Sequence, residues 1–381
     1  IDVLCENPAT RAIGVHIEGL SDIAKFERVA LKALAYDTPI VALKTGRSEI
    51  GSNLTISHTG SISGANELYE ALFERTGVIS VTNPSQLLET LKYLCILDRP
   101  KGKKIAGFTC SGGGATMLAD HCADVDLEFP AFDQKTTKIL ADLLPPIATV
   151  TNPLDYTTPI WGQAEATEPV FRAALCNQDV QAAILIQDYP AAGLDESKIY
   201  YQNDAFAFAN AARFTGTPAA ICATLPENMD AQTRRCLIEQ GVAPMQGLHE
   251  ALNAIASAVW WSERRAELAR HPFDVLSVSR DEGLRVAMNE AEGKAVLQAA
   301  GFQVPMGLLA SPETATSVAA EIGYPVVLKM MGPKLLHKTE AGAVALNLKS
   351  EVALKEAIST MRASVNRYDP LALTDAFLIE N

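Results

Sequence analysis

The sequence predicts an α/β protein in which two doubly wound sheets lie side by side and a third region of different character follows. Three observations carry this. Short apolar runs alternate with longer segments of helical periodicity; the alternation restarts after Pro100; and the pattern changes near Gly283. Buried parallel strands read as continuous apolar runs, and the helices between them supply the crossovers.

The elements follow in order. "AIGVHIEG" (12–19) and "PIVALKTG" (39–46) read as strands with a helix between them. A Ser/Thr/Gly-rich stretch then leads into a helix from Ala65 to Arg75 and the strand "GVISVTN" (77–83). After Pro100 come "KKIAGFTCSGGG" (103–114), "AAILIQDYP" (182–190), "PAAICATL" (218–225) and "GVAPMQG" (241–247), while "TNPLDYTTP" (151–159) reads as a polar rim loop or a plain turn. The charged "WWSERRAELARHPFD" (260–274) closes the second sheet as a helix, with a linker and hinge at His271 to Asp281. Next, "MNEAEGKAVLQAAGFQVP" predicts a helix from Asn289 to Ala300 capped by Gly301, ahead of the strand "YPVVLKMM" (324–331). "AFLIEN" reads as a strand at which the chain stops, and with no initial Met the sequence reads as part of a longer protein. The expected domains are 1–99, 100–270, a linker 271–282, and 283–381.

Composition narrows the function. A net charge of −13 over 381 residues argues against a nucleic-acid surface. No apolar run of about 18 residues predicts a membrane span, and no signal pattern opens the chain, so a cytoplasmic protein is expected. Seven cysteines without a C-x-x-C pair read as buried thiols, neither metal ligands nor disulfides.

Three segments suit phosphate chemistry. In "SNLTISHTGSISGANELY" (52–69), His58 lies among Ser57, Thr59, Gly60, Ser61, Ser63 and Gly64 just before a helix. A neutral imidazole can accept a phosphoryl group, and glycines with a helix N-terminus can cradle the resulting dianion. Glu18, at the carboxyl end of the first strand, is placed to orient the ring; alternatively His58 only caps a loop. In "CSGGGATMLAD" (110–120), Ser111, Gly112, Gly113 and Gly114 open a second helix, although glycines there also serve packing. In "GYPVVLKMMGPKLLHKTEAGAVALNL" (323–348), Lys329 at the end of a strand, then His337 and Lys338 in a loop with Gly332 and Gly342, suit a nucleotide's phosphates. This is not a P-loop, and a solvated hairpin is the alternative.

Together and in this order, these segments resemble the NDP-forming acyl-CoA synthetases, the superfamily of ADP-forming acetyl-CoA synthetase and succinyl-CoA synthetase. The resemblance implies two flavodoxin-like, succinyl-CoA-synthetase-like domains and the first part of an ATP-grasp domain. It assigns the phosphorylated residue to His58, its ring-holding acid to Glu18, and phosphate contacts to Thr59, Gly60, Ser61, Gly64 and residues 111–114. It further makes "NPLD" a nearby loop, Lys329 and Lys338 nucleotide-binding, and His337 a second phosphate carrier. The implied reaction joins a small carboxylic acid to CoA at the expense of ATP, giving ADP and phosphate through phosphohistidine and acyl phosphate. Mg²⁺ ligands and a CoA-binding domain are expected outside this stretch, and a homo-oligomer is compatible with it. A non-catalytic CoA- or nucleotide-sensing module of an acetyltransferase fusion, or a CoA-dependent lyase of the same superfamily, are the rivals. One departure concerns Ala343, which follows Gly342 where the family usually shows a second glycine and so leaves close backbone approach there in question.

Overall fold

A computed structural model describes residues 1–48, 50–51, 66–191, 193, 196–275, 288–332, 334–335 and 338–381. The chain divides into two units, Ile1–Val278 and Ser279–Asn381.

The first unit holds both parallel sheets. The smaller has β1 (Ile13–Ile17), β2 (Ile40–Lys44) and β3 (Ile79–Val81) in that order, with Ile17 opposite Lys44. Alternate side chains of β2 serve opposite faces. Ile40 and Ala42 pack on α1 (Ile23–Ala35) and α2 (Asn66–Thr76), whereas Val41 and Leu43 join the core containing α3 (Pro84–Ile96). Helix starts are encoded locally. Asp22 accepts the Lys25 N–H at 2.8 Å to begin α1, and Asn83 accepts that of Gln86 at 2.9 Å to begin α3, with Pro84 in the first turn.

The larger sheet has the order β5-β4-β6-β7-β8, every neighbour parallel: β4 (Ile105–Thr109), β5 (Leu154–Asp155), β6 (Ala182–Ile186), β7 (Ala219–Ala223) and β8 (Ala243–Gln246). One face carries α5 (Gln134–Leu143), α6 (Ala164–Leu175), α7 (Lys198–Thr215) and α8 (Ala231–Glu239). The other carries α4 (Gly112–Cys122) and the long α9 (Leu248–Arg270). Where a loop or turn was expected at 151–159, Leu154–Asp155 forms an edge strand. Asn152 holds its approach, accepting the Gly107 N–H at 3.0 Å and donating to the carbonyls of Ile105 and Pro130.

The two sheets share a core across residue 100. Val41, Leu43, Ile79, Tyr93 and Leu94 cluster with Ile105, Ile184, Met245, Ile255 and Trp261, so α3, α4 and α9 form a common layer. At the join, the Arg99 guanidinium lies 4.8 Å from the Trp261 ring centre and donates to Asp37 at 3.0 Å. The start of the expected linker is packed as well, since Arg75 stacks on Phe273 at 3.8 Å and donates to the Asp274 carbonyl at 2.8 Å.

The second unit has an antiparallel sheet of order β11-β10-β12-β9: β9 (Gly307–Ala310), β10 (Val326–Met331), β11 (Val344–Leu348) and β12 (Ala376–Glu380). Around it lie α10 (Glu290–Ala299), α11 (Ala315–Ile322) and α12 (Glu351–Tyr368). The boundaries of α10 follow from Asn289 and Glu292, which form a reciprocal capping box, and from Gly301 at φ 87°.

The cysteines correct one expectation. Cys5, Cys122 and Cys222 are buried and all seven are free thiols, but Cys95, Cys176 and Cys236 are exposed. Helical periodicity is the cause. In α8 the buried positions are Thr233 and Leu237, which turns Cys236 outward.

Candidate functional site

The carboxyl ends of β1 and β2 bring opposite charges to one rim. Glu18 follows β1 directly and is exposed, while Lys44 ends β2 and is 2% exposed. The Lys44 ammonium lies 4.7 Å from the Tyr69 ring centre and donates to the Thr45 carbonyl. Burial lowers its pKa, the Arg47 charge adds to that effect, and Glu18 opposes it. Tyr69 ties α2 to the same rim, because its hydroxyl accepts the Leu20 N–H at 3.0 Å. Tyr69, in the first turn of α2, therefore lies beside the chain that follows Glu18. His58, Thr59, Gly60, Ser61 and Gly64 precede α2 in the sequence and lie outside the described residues. Lys44 was missed by sequence reasoning, although a lysine closing the apolar run "PIVALKTG" is a usable signal.

At the rim of the larger sheet, Ser111 caps α4, its Oγ accepting the Gly114 N–H at 3.2 Å. The N–H groups of Gly112 and Gly113 have no partner among the described residues. The three glycines differ. A Cβ on Gly114 would overlap Thr109 Oγ1 and lie 3.1 Å from its Cβ, so this glycine serves packing. Among the described residues, a Cβ on Gly113 would meet nothing within 4 Å, and one on Gly112 only Asp155 Oδ2 at 3.7 Å. The first turn is thus open at its exposed end, as an anion cradle needs.

The neighbouring strand end is held from inside. Asp204, fully buried on α7, accepts from the Tyr156 hydroxyl at 2.8 Å, the Gly162 N–H at 3.0 Å and the Thr167 hydroxyl at 3.1 Å. Burial raises its pKa, against the pull of these three donors. Nothing in "YQNDAFAFANA" distinguishes such an aspartate from a surface one.

In the second unit, Lys329 and Lys338 do come together, in a larger cluster. Lys329 Nζ is 2.5 Å from Glu290 Oε1 and 2.8 Å from Glu380 Oε2; Lys338 Nζ is 3.2 Å from Glu290 Oε2. Lys294 Nζ is 3.0 Å from Glu290 Oε1 and also bonds Glu380. Sheet register explains the meeting. Val327 is paired with Glu380, so Lys329, two residues on, lies on the same face, while Leu328 and Met330 enter the core. Desolvation by itself would raise the Glu290 pKa, but hydrogen bonds from Lys329, Lys294 and Lys338 outweigh it and bring it down to about 2. Three ammonium groups against two carboxylates leave one positive charge in excess, which fits a phosphate ligand. Lys294, Glu290 and Glu380 were not foreseen, because "NEAEGK" reads simply as a helix start. His337 lies outside the described residues. The question over Ala343 is answered: its methyl is fully buried in the core, and its N–H donates to the Lys338 carbonyl at 2.7 Å.

Among the described residues no group of three His, Cys, Asp or Glu is placed to hold a metal ion, and no helix is long and apolar enough to cross a membrane.

Residues 1–94 match the succinyl-CoA ligase like flavodoxin domain, and residues 279–381 match the ATP-grasp domain. The whole chain aligns at 30% identity with 54% of an ADP-forming acetate–CoA ligase from Archaeoglobus fulgidus. Along its whole length it is similar to the NDP-forming acyl-CoA synthetases. The chain also aligns over its full length, at 27% identity, with 53% of a trans-feruloyl-CoA synthase from an unknown prokaryotic organism. It therefore spans about half the length of these curated relatives. A solved dinucleotide-forming acetyl-coenzyme A synthetase from Ca. Korarchaeum cryptofilum, in complex with phosphate and ADP, shares the fold. The TM-score is 0.60 at 23% identity, over 71% of this chain and 58% of that one.

Proposed function

We propose that the full-length protein carrying this chain is an ADP-forming acyl-CoA synthetase of the cytoplasm that joins a small carboxylic acid to CoA. The observation that carries the reading is the presence, on one chain, of an open helix start at a parallel-strand rim and of a lysine cluster with excess positive charge. Each suits phosphate. Lys294, Lys329 and Lys338 would hold the nucleotide's phosphates, with Mg²⁺ accompanying them.

His337 takes the terminal phosphoryl group of ATP, a P–N bond forming as the P–O bond to ADP breaks, and passes it to His58, whose P–N bond forms as that to His337 breaks. A carboxylate oxygen of the acid then attacks phosphorus, and the P–N bond breaks to give the acyl phosphate. CoA sulfur next attacks the acyl carbon; the thiol proton is lost and phosphate leaves. Dividing activation in this way makes each transfer an in-line displacement at a preorganised anion site. Glu18 orients the His58 ring, the N–H groups of Gly112 and Gly113 receive phosphoryl oxygens, and His337 carries phosphate from the nucleotide toward His58.

Labelling tests the reading. With γ-labelled Mg-ATP the full-length protein should acquire an acid-labile, alkali-stable phosphate on His58, and His58→Ala should lose both label and acyl-CoA formation. A protein that only senses nucleotide or CoA would bind without becoming labelled. Unchanged turnover in His58→Ala refutes the mechanism.

A further inference from the structure

The lysine cluster of the second unit is centred on a carboxylate of the chain itself. Glu290 receives ammonium groups from three separate places: Lys294 on α10 at 3.0 Å, Lys329 on β10 at 2.5 Å, and Lys338 in the following turn at 3.2 Å. Both carboxylate oxygens are engaged. Ordinary surface ion pairs join one cation to one anion and contribute little. Three cations converging on one small oxyanion is the arrangement by which a phosphate is held.

We propose that Lys294, Lys329 and Lys338 form a single clamp for a nucleotide's phosphates, and that Glu290 fills this clamp as an internal anion until a phosphate displaces it. The proposal rests on the nucleotide-site reading above and extends it to Glu290, to which that reading gives no role.

The two carboxylates of the cluster are not equivalent. Glu380 is 3% exposed, sits within β12, and among the described residues bonds Lys294 and Lys329. Its removal from the cluster would require movement of the sheet. Glu290 occupies the first turn of α10, a helix with no buried residue, and its side chain is 25% exposed. It can leave by rotation about its own side-chain bonds, with α10 in place. Its departure changes the local balance from three cations and two anions to three cations and one, so the clamp gains a second excess positive charge. A diphosphate or triphosphate matches that charge better than a single carboxylate does.

Competition of this kind has a defined sign. A ligand that binds only the displaced state has its apparent affinity reduced by the fraction of protein in which Glu290 has moved away. Removing the Glu290 charge removes the competitor. If Glu290 instead served to arrange the lysines, removing its charge would weaken binding.

The experiment is calorimetric titration of the full-length protein with ADP and, separately, with inorganic tripolyphosphate. Glu290→Gln should tighten both by about 5-fold or more, and Lys294→Met, with wild-type Glu290, should weaken both. Unchanged or weaker tripolyphosphate binding by Glu290→Gln, in protein whose circular dichroism matches wild type, overturns the internal-anion role. Unchanged binding by Lys294→Met overturns the three-lysine clamp. Failure of the wild-type protein to bind either probe would instead remove the nucleotide-site reading on which the inference stands.

Discussion

Glu18 and Lys44 end adjacent strands, and their different surroundings decide what each does. Lys44 is buried beneath Tyr69 and takes part in holding the rim together; Glu18 is exposed and contributes no core contact. Glu18→Gln should therefore leave the melting temperature unchanged. It should lower acyl-CoA formation roughly 10²- to 10⁴-fold, the range expected when a carboxylate no longer fixes a histidine's tautomer or stabilises its imidazolium. Steady-state turnover with ATP, CoA and acid measures this, and a loss smaller than about tenfold would remove Glu18 from the orienting role. The place of Glu18 at the end of β1 was legible, because an acid directly after an apolar run marks a strand end. Asp204 was hidden because its three donors come from Tyr156, Gly162 and Thr167, about 40 residues away in the chain. Such partners are set by tertiary packing and leave no local pattern.

Helix α4 holds a packed glycine and two open ones within a single run. Gly114→Ala would drive a methyl into Thr109 and should destabilise the protein by about 1–3 kcal/mol, as overpacking does. Gly113→Ala meets nothing within 4 Å among the described residues and replaces a poor helix former with a good one, so stability should hold or rise by up to about 1 kcal/mol. The same methyl, however, crowds the open N–H groups of the first turn, and phosphorylation of His58 should slow. Thermal melts beside labelling time courses compare the two variants, and equal losses of stability would contradict this division. Elements such as β4 and β6 were legible because uninterrupted apolar runs bounded by Gly, Pro or charged residues have few alternatives. Strand β5 was not, since two residues after Asn-Pro carry no period and pair only because Asn152 reaches β4. The charge cluster around Glu290 likewise depends on the register of β10 against β12, a non-local fact.

The first unit has two sheets but a continuous interior, with Trp261 of α9 in the same cluster as Val41 of β2 and Ile184 of β6. Read as strand patterns, residues 1–99 and 100–270 resemble two independent domains; the shared layer of α3, α4 and α9 makes each half dependent on the other. Residues 1–275 produced alone should unfold in one cooperative thermal transition, whereas residues 1–99 alone should show no folded circular dichroism signal. Two separated transitions in the longer piece would count against this coupling. The polypeptide link at Arg99 and Pro100 is a short stretch at the edge of that layer, and the layer itself consists of side chains. Severed there, the two pieces would each present a large, matching apolar face, and burying it is what permanent partners do on assembly. What is here an intramolecular seam would then serve as an obligate heterodimer interface, so the same architecture can be encoded by one gene or divided between two without redesign of its interior.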